Sequence, residues 1–250
     1  MARARETARV SGGRVTARVS RACRIPSGRY RLSVPDAPGI LARGPWAPEA
    51  IEASWLQEEF QPPTADTQAA DVALEALRAR GSPSHDGLAA RLVNFKTGPG
   101  RLSLELQPAR WALRLLPLDG ARSLSVLCVV RAADGSWLAG RRAQWLASWA
   151  GRWALGAGGA VEVQENPAGS MQRELREEWS VDPQRLSVEA LVLLPSEMVL
   201  LVGQAWLAEG ASVSPDHEHD AYAWWPAEID RWPDEADEPL RRMAALLGGR

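Results

Sequence analysis

Residues 158–181 read GGAVEVQENPAGSMQRELREEWSV. Asn166 followed by Pro167 is a helix start, because an Asn side chain can accept from the first free N–H groups and proline suits the first helical position. The helix should run to about Trp179. On it Glu174, Glu177 and Glu178 fall at i, i+3 and i+4, so three carboxylates share one face. Like charges at that spacing weaken an isolated helix. They make sense if a hard divalent cation neutralises them, since Mg²⁺ prefers oxygen donors. The bland alternative is a solvated acidic helix face.

The same spacing resembles the Nudix box: Gly, five residues, Glu, seven residues, Arg-Glu-aliphatic, one residue, Glu-Glu, one residue, Gly-aliphatic. Here the series is Gly159, Glu165, Arg173, Glu174, Leu175, Glu177, Glu178 and Val181, with Ser180 where the family usually has Gly. The resemblance covers residues 121–248. It implies an α/β/α sandwich around a mixed sheet, and hydrolysis of a nucleoside diphosphate linked to another moiety. It implies Mg²⁺, with Mn²⁺ as the alternative, held by Glu174, Glu177, Glu178 and the backbone carbonyl of Gly158. Arg173 is then expected to hold the box carboxylate Glu165 in place rather than to bind substrate.

Family members draw the general base either from the box helix or from a later loop. In this chain that loop is Asp216-His217-Glu218-His219-Asp220, ahead of Tyr222 and Trp224-Trp225. Glu218 takes the acidic position there as ligand or base; a solvated loop and a separate His-x-His metal site are the alternatives. The catalytic candidates are therefore Glu174, Glu177, Glu218 and Arg173. Arg141 and Arg142 end a strand where relatives place a phosphate-contacting Arg, and a guanidinium fork suits phosphate; an exposed charge pair is the other reading. Trp153 matches a family tryptophan expected in the core, whereas Trp145 and Trp149 either pack or stack on a base. Two glycine positions of the family carry Gln164 and Ser180 instead, so the helix end cannot enter a left-handed turn as cheaply.

Outward from the box the chain reads as mixed α/β. Helical spacing predicts helices over 48–60 and 65–80, and Ser84-His85-Asp86-Gly87 reads as a turn. Strands are expected over 88–95, 101–106 and 111–115, then 123–131 and 136–140 around an Ala133-Asp134-Gly135 hairpin turn. Further strands are predicted at 153–163, 186–194, 198–207 and 221–225, with helices at 226–231 and 235–247. This gives three parts: a basic arm over 1–33, a small α/β N-terminal domain over 34–117 that feeds edge strands onward, and the main domain over 121–250.

The arm holds nine Arg against the single acid Glu6, within a chain of net charge −2. It lacks hydrophobic periodicity and is expected to be disordered; it reads as an arm, or alternatively as a transit-like leader. No apolar run reaches the ~18 residues of a membrane span, and no secretory h-region is visible. The two cysteines, Cys23 and Cys128, form no disulfide framework, so a cytoplasmic setting is the default. Cys128 lies in an apolar strand, against an isoprenyl-diphosphate isomerase that would need a reactive cysteine at its site. The expected partner is a small nucleoside diphosphate derivative, of nucleotide-sugar or ADP-ribose type. A membrane or nucleic acid is not expected, and a homodimer stays open. The alternatives are a ligand-sensing module without turnover and a nucleoside triphosphate pyrophosphatase.

Overall fold

A computed structural model describes residues 38–83 and 86–248, so the basic arm, Cys23 and the Ser84-His85 half of the predicted turn lie outside it. Among the described residues ten strands and three α-helices follow in order. They are β1 (Gly39–Trp46), β2 (Ile51–Trp55), α1 (Thr64–Ala79), β3 (Leu88–Gly98), β4 (Arg101–Arg110), β5 (Leu124–Arg131), β6 (Trp137–Arg142) and β7 (Trp153–Leu155). After these come α2 (Pro167–Trp179), β8 (Arg185–Leu193), β9 (Val199–Trp206), β10 (His219–Trp225) and α3 (Glu238–Gly248).

The main sheet runs β1-β8-β9-β5-β6-β10, with β7 also paired to β6. β5 and β9 are parallel and the other neighbours antiparallel, which makes the sheet mixed. Alternation along β5 divides its side chains between two cores. Leu124, Val126, Cys128 and Val130 pack with Met171, Leu175 and Trp179 of α2. Val129 faces the other way, into a cluster with Trp137, Trp225, Trp232, Leu240 and Ala244, where α3 covers the sheet. An α/β/α sandwich results. A second sheet, β2-β4-β3, leans on the first through Ala90 N–H to Val161 O (2.8 Å) and Leu92 N–H to Arg122 O (3.1 Å). Among the described residues no helix is long and apolar enough to cross a membrane.

Four expectations need correction. Residues 48–60 are a 3-10 turn over Pro48–Ala50 and then β2, paired in parallel with β4. Ile51 and Trp55 are four apart, and positions four apart share a face in a strand as well as in a helix. Trp111–Leu115 is a 3-10 turn, not a strand, because β3 ends its pairing at Leu88 opposite Arg110 and leaves no partner beyond it. The strand expected over 153–163 stops at Leu155: Gly156 turns to φ +66°, and only isolated bridges such as Cys128 to Ala157 continue. Likewise 226–231 holds only a 3-10 turn, Ile229–Arg231, and α3 begins at Glu238 with the Asp237 carboxylate accepting from Leu240 N–H (3.1 Å).

The box helix α2 has the predicted limits. Asn166 Oδ1 accepts from Ala168 N–H (2.9 Å), and its amide donates to Ile51 O (2.8 Å), tying the helix start to β2. At the other end Ser180 adopts φ 56°, ψ 37°, with its N–H on Arg176 O and Val181 N–H on Leu175 O. Non-glycine residues pay roughly 1–2 kcal/mol for that backbone conformation. Ser180→Gly should therefore raise Tm by roughly 1–3 °C, after allowing for the looser unfolded chain of a glycine variant. Calorimetry showing no rise would mean that Ser180 carries no strain.

Candidate active site

The box carboxylates are arranged around one guanidinium. Arg173 Nε donates to Glu165 Oε1 (3.0 Å) and Nη2 to Glu165 Oε2 (3.2 Å). Its Nη1 reaches Glu174 Oε1 (2.6 Å) and Glu177 Oε2 (2.9 Å), and Nη2 also donates to Ala160 O (3.0 Å). Glu165 is held further by the Ser170 hydroxyl (2.6 Å), a contact that the sequence reading missed although Ser170 is a small polar residue on the inner face of α2. Gly159 explains its own lack of a side chain: a Cβ there would lie 2.1 Å from Glu174 Oε1.

Glu178 points deeper. Its Oε1 accepts from Gly158 N–H (2.8 Å), and its buried Oε2 has no hydrogen-bond partner among the described residues. The nearest base is His219, whose Nε2 stands 3.6 Å from that oxygen and whose side chain is 1% exposed. The His219 ring leans on Trp179, with centroids 4.4 Å apart. The loop before β10 is docked on the end of α2, through Ser214 N–H to Trp179 O and Asp216 N–H to Glu178 O, both 2.9 Å. That docking brings Glu218 to the cluster, half-buried and 3.7 Å from Arg142.

Arg141 and Arg142 part company, as neighbours on a strand must. Arg142 turns to Glu218, while Arg141 pairs with exposed Asp220 (2.6 Å). Trp145 stacks on His217 with centroids 5.3 Å apart, Trp149 is exposed, and Trp153 packs on Trp225. Cys128 is fully buried, and burial lifts its thiol pKa, so it is no nucleophile. Among the described residues no three His, Cys, Asp or Glu side chains stand ready as a metal cage. The donors are nevertheless all hard oxygens, in excess of the arginines beside them, and one is buried with no hydrogen-bond partner among the described residues. That chemistry fits Mg²⁺ or Mn²⁺.

The sequence matches the model of the NUDIX domain over residues 121–247, half of the chain. The chain belongs to the Nudix family. Solved structures similar to it include the MutT protein of Methanosarcina mazei Go1, at 21% identity over 51% of this chain and 96% of that one, TM-score 0.39. Another is the NUDIX domain of Shewanella oneidensis NrtR complexed with ADP ribose, at 19% identity over 49% and 86%, TM-score 0.40. A third is a C. elegans Ap4A hydrolase, at 19% identity over 50% and 99%, TM-score 0.39. A search of curated proteins gives no match.

The electrostatics of the Nudix site make a testable demand on pH. Burial, with Glu177 and Glu218 adding to it and Arg173 opposing, pushes the Glu174 carboxyl from 4.5 up to about 7. Burial raises Glu178 and Glu218 in the same direction. Glu165 goes the other way: burial is outweighed by its bonds from Arg173 and Ser170. A carboxyl that holds its proton more tightly when folded contributes stability below its unfolded pKa and loses it as pH climbs through the folded value. In EDTA the protein should lose on the order of 3 kcal/mol through Glu174 between pH 4.5 and about 7. Excess Mg²⁺ should raise Tm more at about pH 8 than at about pH 5, since the cation competes with protons. Thermal unfolding across pH checks both, and a metal-induced rise that is equal at the two pH values contradicts them.

Proposed function

We propose that this chain is a Mg²⁺-dependent pyrophosphohydrolase, with Mn²⁺ as a substitute, that splits the diphosphate of a nucleoside diphosphate linked to another moiety. The observation that supports it most is the crowding of Glu174, Glu177, Glu178 and Glu218, with Glu178 Oε2 buried and without a hydrogen-bond partner among the described residues. Glu174, Glu177, Glu178 and the backbone of Gly158 would hold the metal. When bound, that ion neutralises the carboxylates, polarises phosphoryl oxygens and lowers the pKa of water.

The chain's own residues do the rest. Arg173 keeps Glu165 fixed against α2 and so holds the box loop in register with the helix. Glu177 is 56% exposed and has Arg173 as its only ion-pair partner among the described residues, so it can turn towards an incoming ligand at little cost. Glu218 faces the cluster from a separate element, and burial strengthens its grip on a proton; we assign it the acceptance of the proton from attacking water. Arg142 beside it carries positive charge to the same rim, where a phosphate oxygen can displace Glu218 as its partner. Arg141, committed to Asp220, is left the lesser part. Within this class we favour nucleotide sugars or ADP-ribose, because the segment before residue 121 adds strands beside the box, with Ala89 of β3 bridged to Glu162.

The full chain with Mg²⁺ should release phosphate, after phosphatase coupling, from one or more of a panel of sugar nucleotides, ADP-ribose, dinucleotides and triphosphates. Glu177→Gln should lower kcat by at least about a hundredfold and leave Tm within a degree or two. A fully active variant contradicts the metal assignment. A panel without turnover, but with measurable ligand binding, makes the domain a sensor.

A further inference from the structure

Arg114 lies outside the matched domain, in the 3-10 turn that joins β4 to β5. Its neighbours Ala112 and Leu113 are buried with Ala70 and Leu74 of α1 and with Ala121, which anchors the turn. The side chain then runs inward to β5. Nη2 donates to Ser125 Oγ and stands 3.4 Å from Met198 Sδ, and the guanidinium lies 5.7 Å from the Trp111 ring centroid. All three partners are uncharged.

A half-buried cation served by neutral groups is costly unless an anion completes it. Desolvation lowers the pKa of Arg114, and the two charges that oppose this are Asp119 and Glu174. Asp119 is already engaged, accepting from Ala121 N–H (3.2 Å) and Ser123 N–H (2.8 Å). Glu174 is the box carboxylate. The connection is short: Ser125 bridges Ala160, Val126 N–H donates to Gly159 O (2.9 Å), and Glu174 lies over Gly159. Val126 faces α2, so Ser125, one residue away, points to the opposite side of β5. Arg114 thus approaches the box loop from the side that α2 leaves free, next to partly exposed Leu127 and Leu200. Arg173 and Arg142 both pair with carboxylates. Arg114 has no carboxylate ion-pair partner among the described residues.

We propose that Arg114 is a substrate-binding residue, whose guanidinium takes phosphoryl oxygens of the diphosphate held at the box carboxylates. The segment before the Nudix domain would then complete the substrate site rather than merely buttress it. This assignment rests on the reaction proposed above, but its test does not need turnover. The probe is imidodiphosphate with Mg²⁺, which keeps the diphosphate charge and resists hydrolysis, titrated calorimetrically into the full chain.

Arg114→Met should weaken imidodiphosphate binding roughly 10- to 100-fold, the range expected for hydrogen bonds to a charged group. Mn²⁺ affinity without the probe should stay within about twofold. Arg114→Lys should fall between the two, because a point charge lacks the bidentate fork. Circular dichroism checks the fold, and if the methionine variant does not fold, the lysine variant decides by the same measure. Binding equal to that of the unaltered chain overturns the proposal, as does a parallel loss of Mn²⁺ affinity, which would mark a structural role. An unaltered chain that does not bind the probe overturns it too. If Glu177→Gln is inactive while Arg114→Met binds normally, the reaction stands and only Arg114 is misassigned. If nothing in the substrate panel turns over but Arg114→Met loses the probe, the anion site survives and the reaction fails.

Discussion

The close approach of Glu174 to the backbone at Gly159 is the constraint on which the site depends. A carboxylate can lie against a main chain only where no Cβ intervenes, and there it is removed from water and hard to ionise. Arg173 offsets part of that cost and in doing so collects Glu165 and Glu177 as well. One glycine and one arginine therefore determine where three acidic side chains can stand. Glu178 escapes their reach and depends instead on Gly158 N–H and the loop docked at the helix end.

That dependence couples parts of the chain far apart in sequence. Asn166 ties the start of α2 to β2, and the backbone of residues 214–216 ties its end to the loop before β10. Both anchors act on the backbone, so the carboxylate face remains free for chemistry. The tryptophans do complementary work. Trp179 supports His219 beneath the site, while Trp137, Trp225 and Trp232 fill the layer under α3 at centroid spacings of 5.0–5.5 Å. A chain with few Phe and Tyr has used indole rings for its bulk packing, and their N–H groups find carbonyls at Gly156, Ala227 and Pro226.

How legible this was from sequence depended on how local the determinants are. The start of α2 followed from Asn166-Pro167 because a cap acts within one turn. β5, β8 and β9 were visible as apolar runs, but not their order, which tertiary pairing sets. Ile51 to Trp55 misled because a four-residue repeat satisfies two periodicities, and only its neighbour β4 resolves the choice. Within the site, the contact of Arg173 with Glu165 was legible through the box pattern, whereas Ser170, the burial of His219 and the separation of Arg141 from Arg142 depend on which way side chains face. Arg114 gave no sequence signal at all, since its meaning comes from β5 lying beside the box loop.

Two features of the box suggest how the cluster tolerates a change of partners. Gln164 at φ 69° and Ser180 at φ 56° adopt left-handed backbone where glycine would be cheaper, so packing on both flanks holds the loop and the helix end in place. Against that rigid frame only side chains need to move. If Glu174 and Glu177 turn from Arg173 to a cation, Arg173 keeps both oxygens of Glu165 and the carbonyl of Ala160. Glu165 in turn keeps Ser170 and the N–H of Glu162. No buried charge is stranded by the exchange, and stranding is what makes breaking a buried ion pair expensive. The guanidinium can therefore hold the carboxylates together in the metal-free protein and release two of them without loss of the frame, which is what a reversible metal site in this family's box requires.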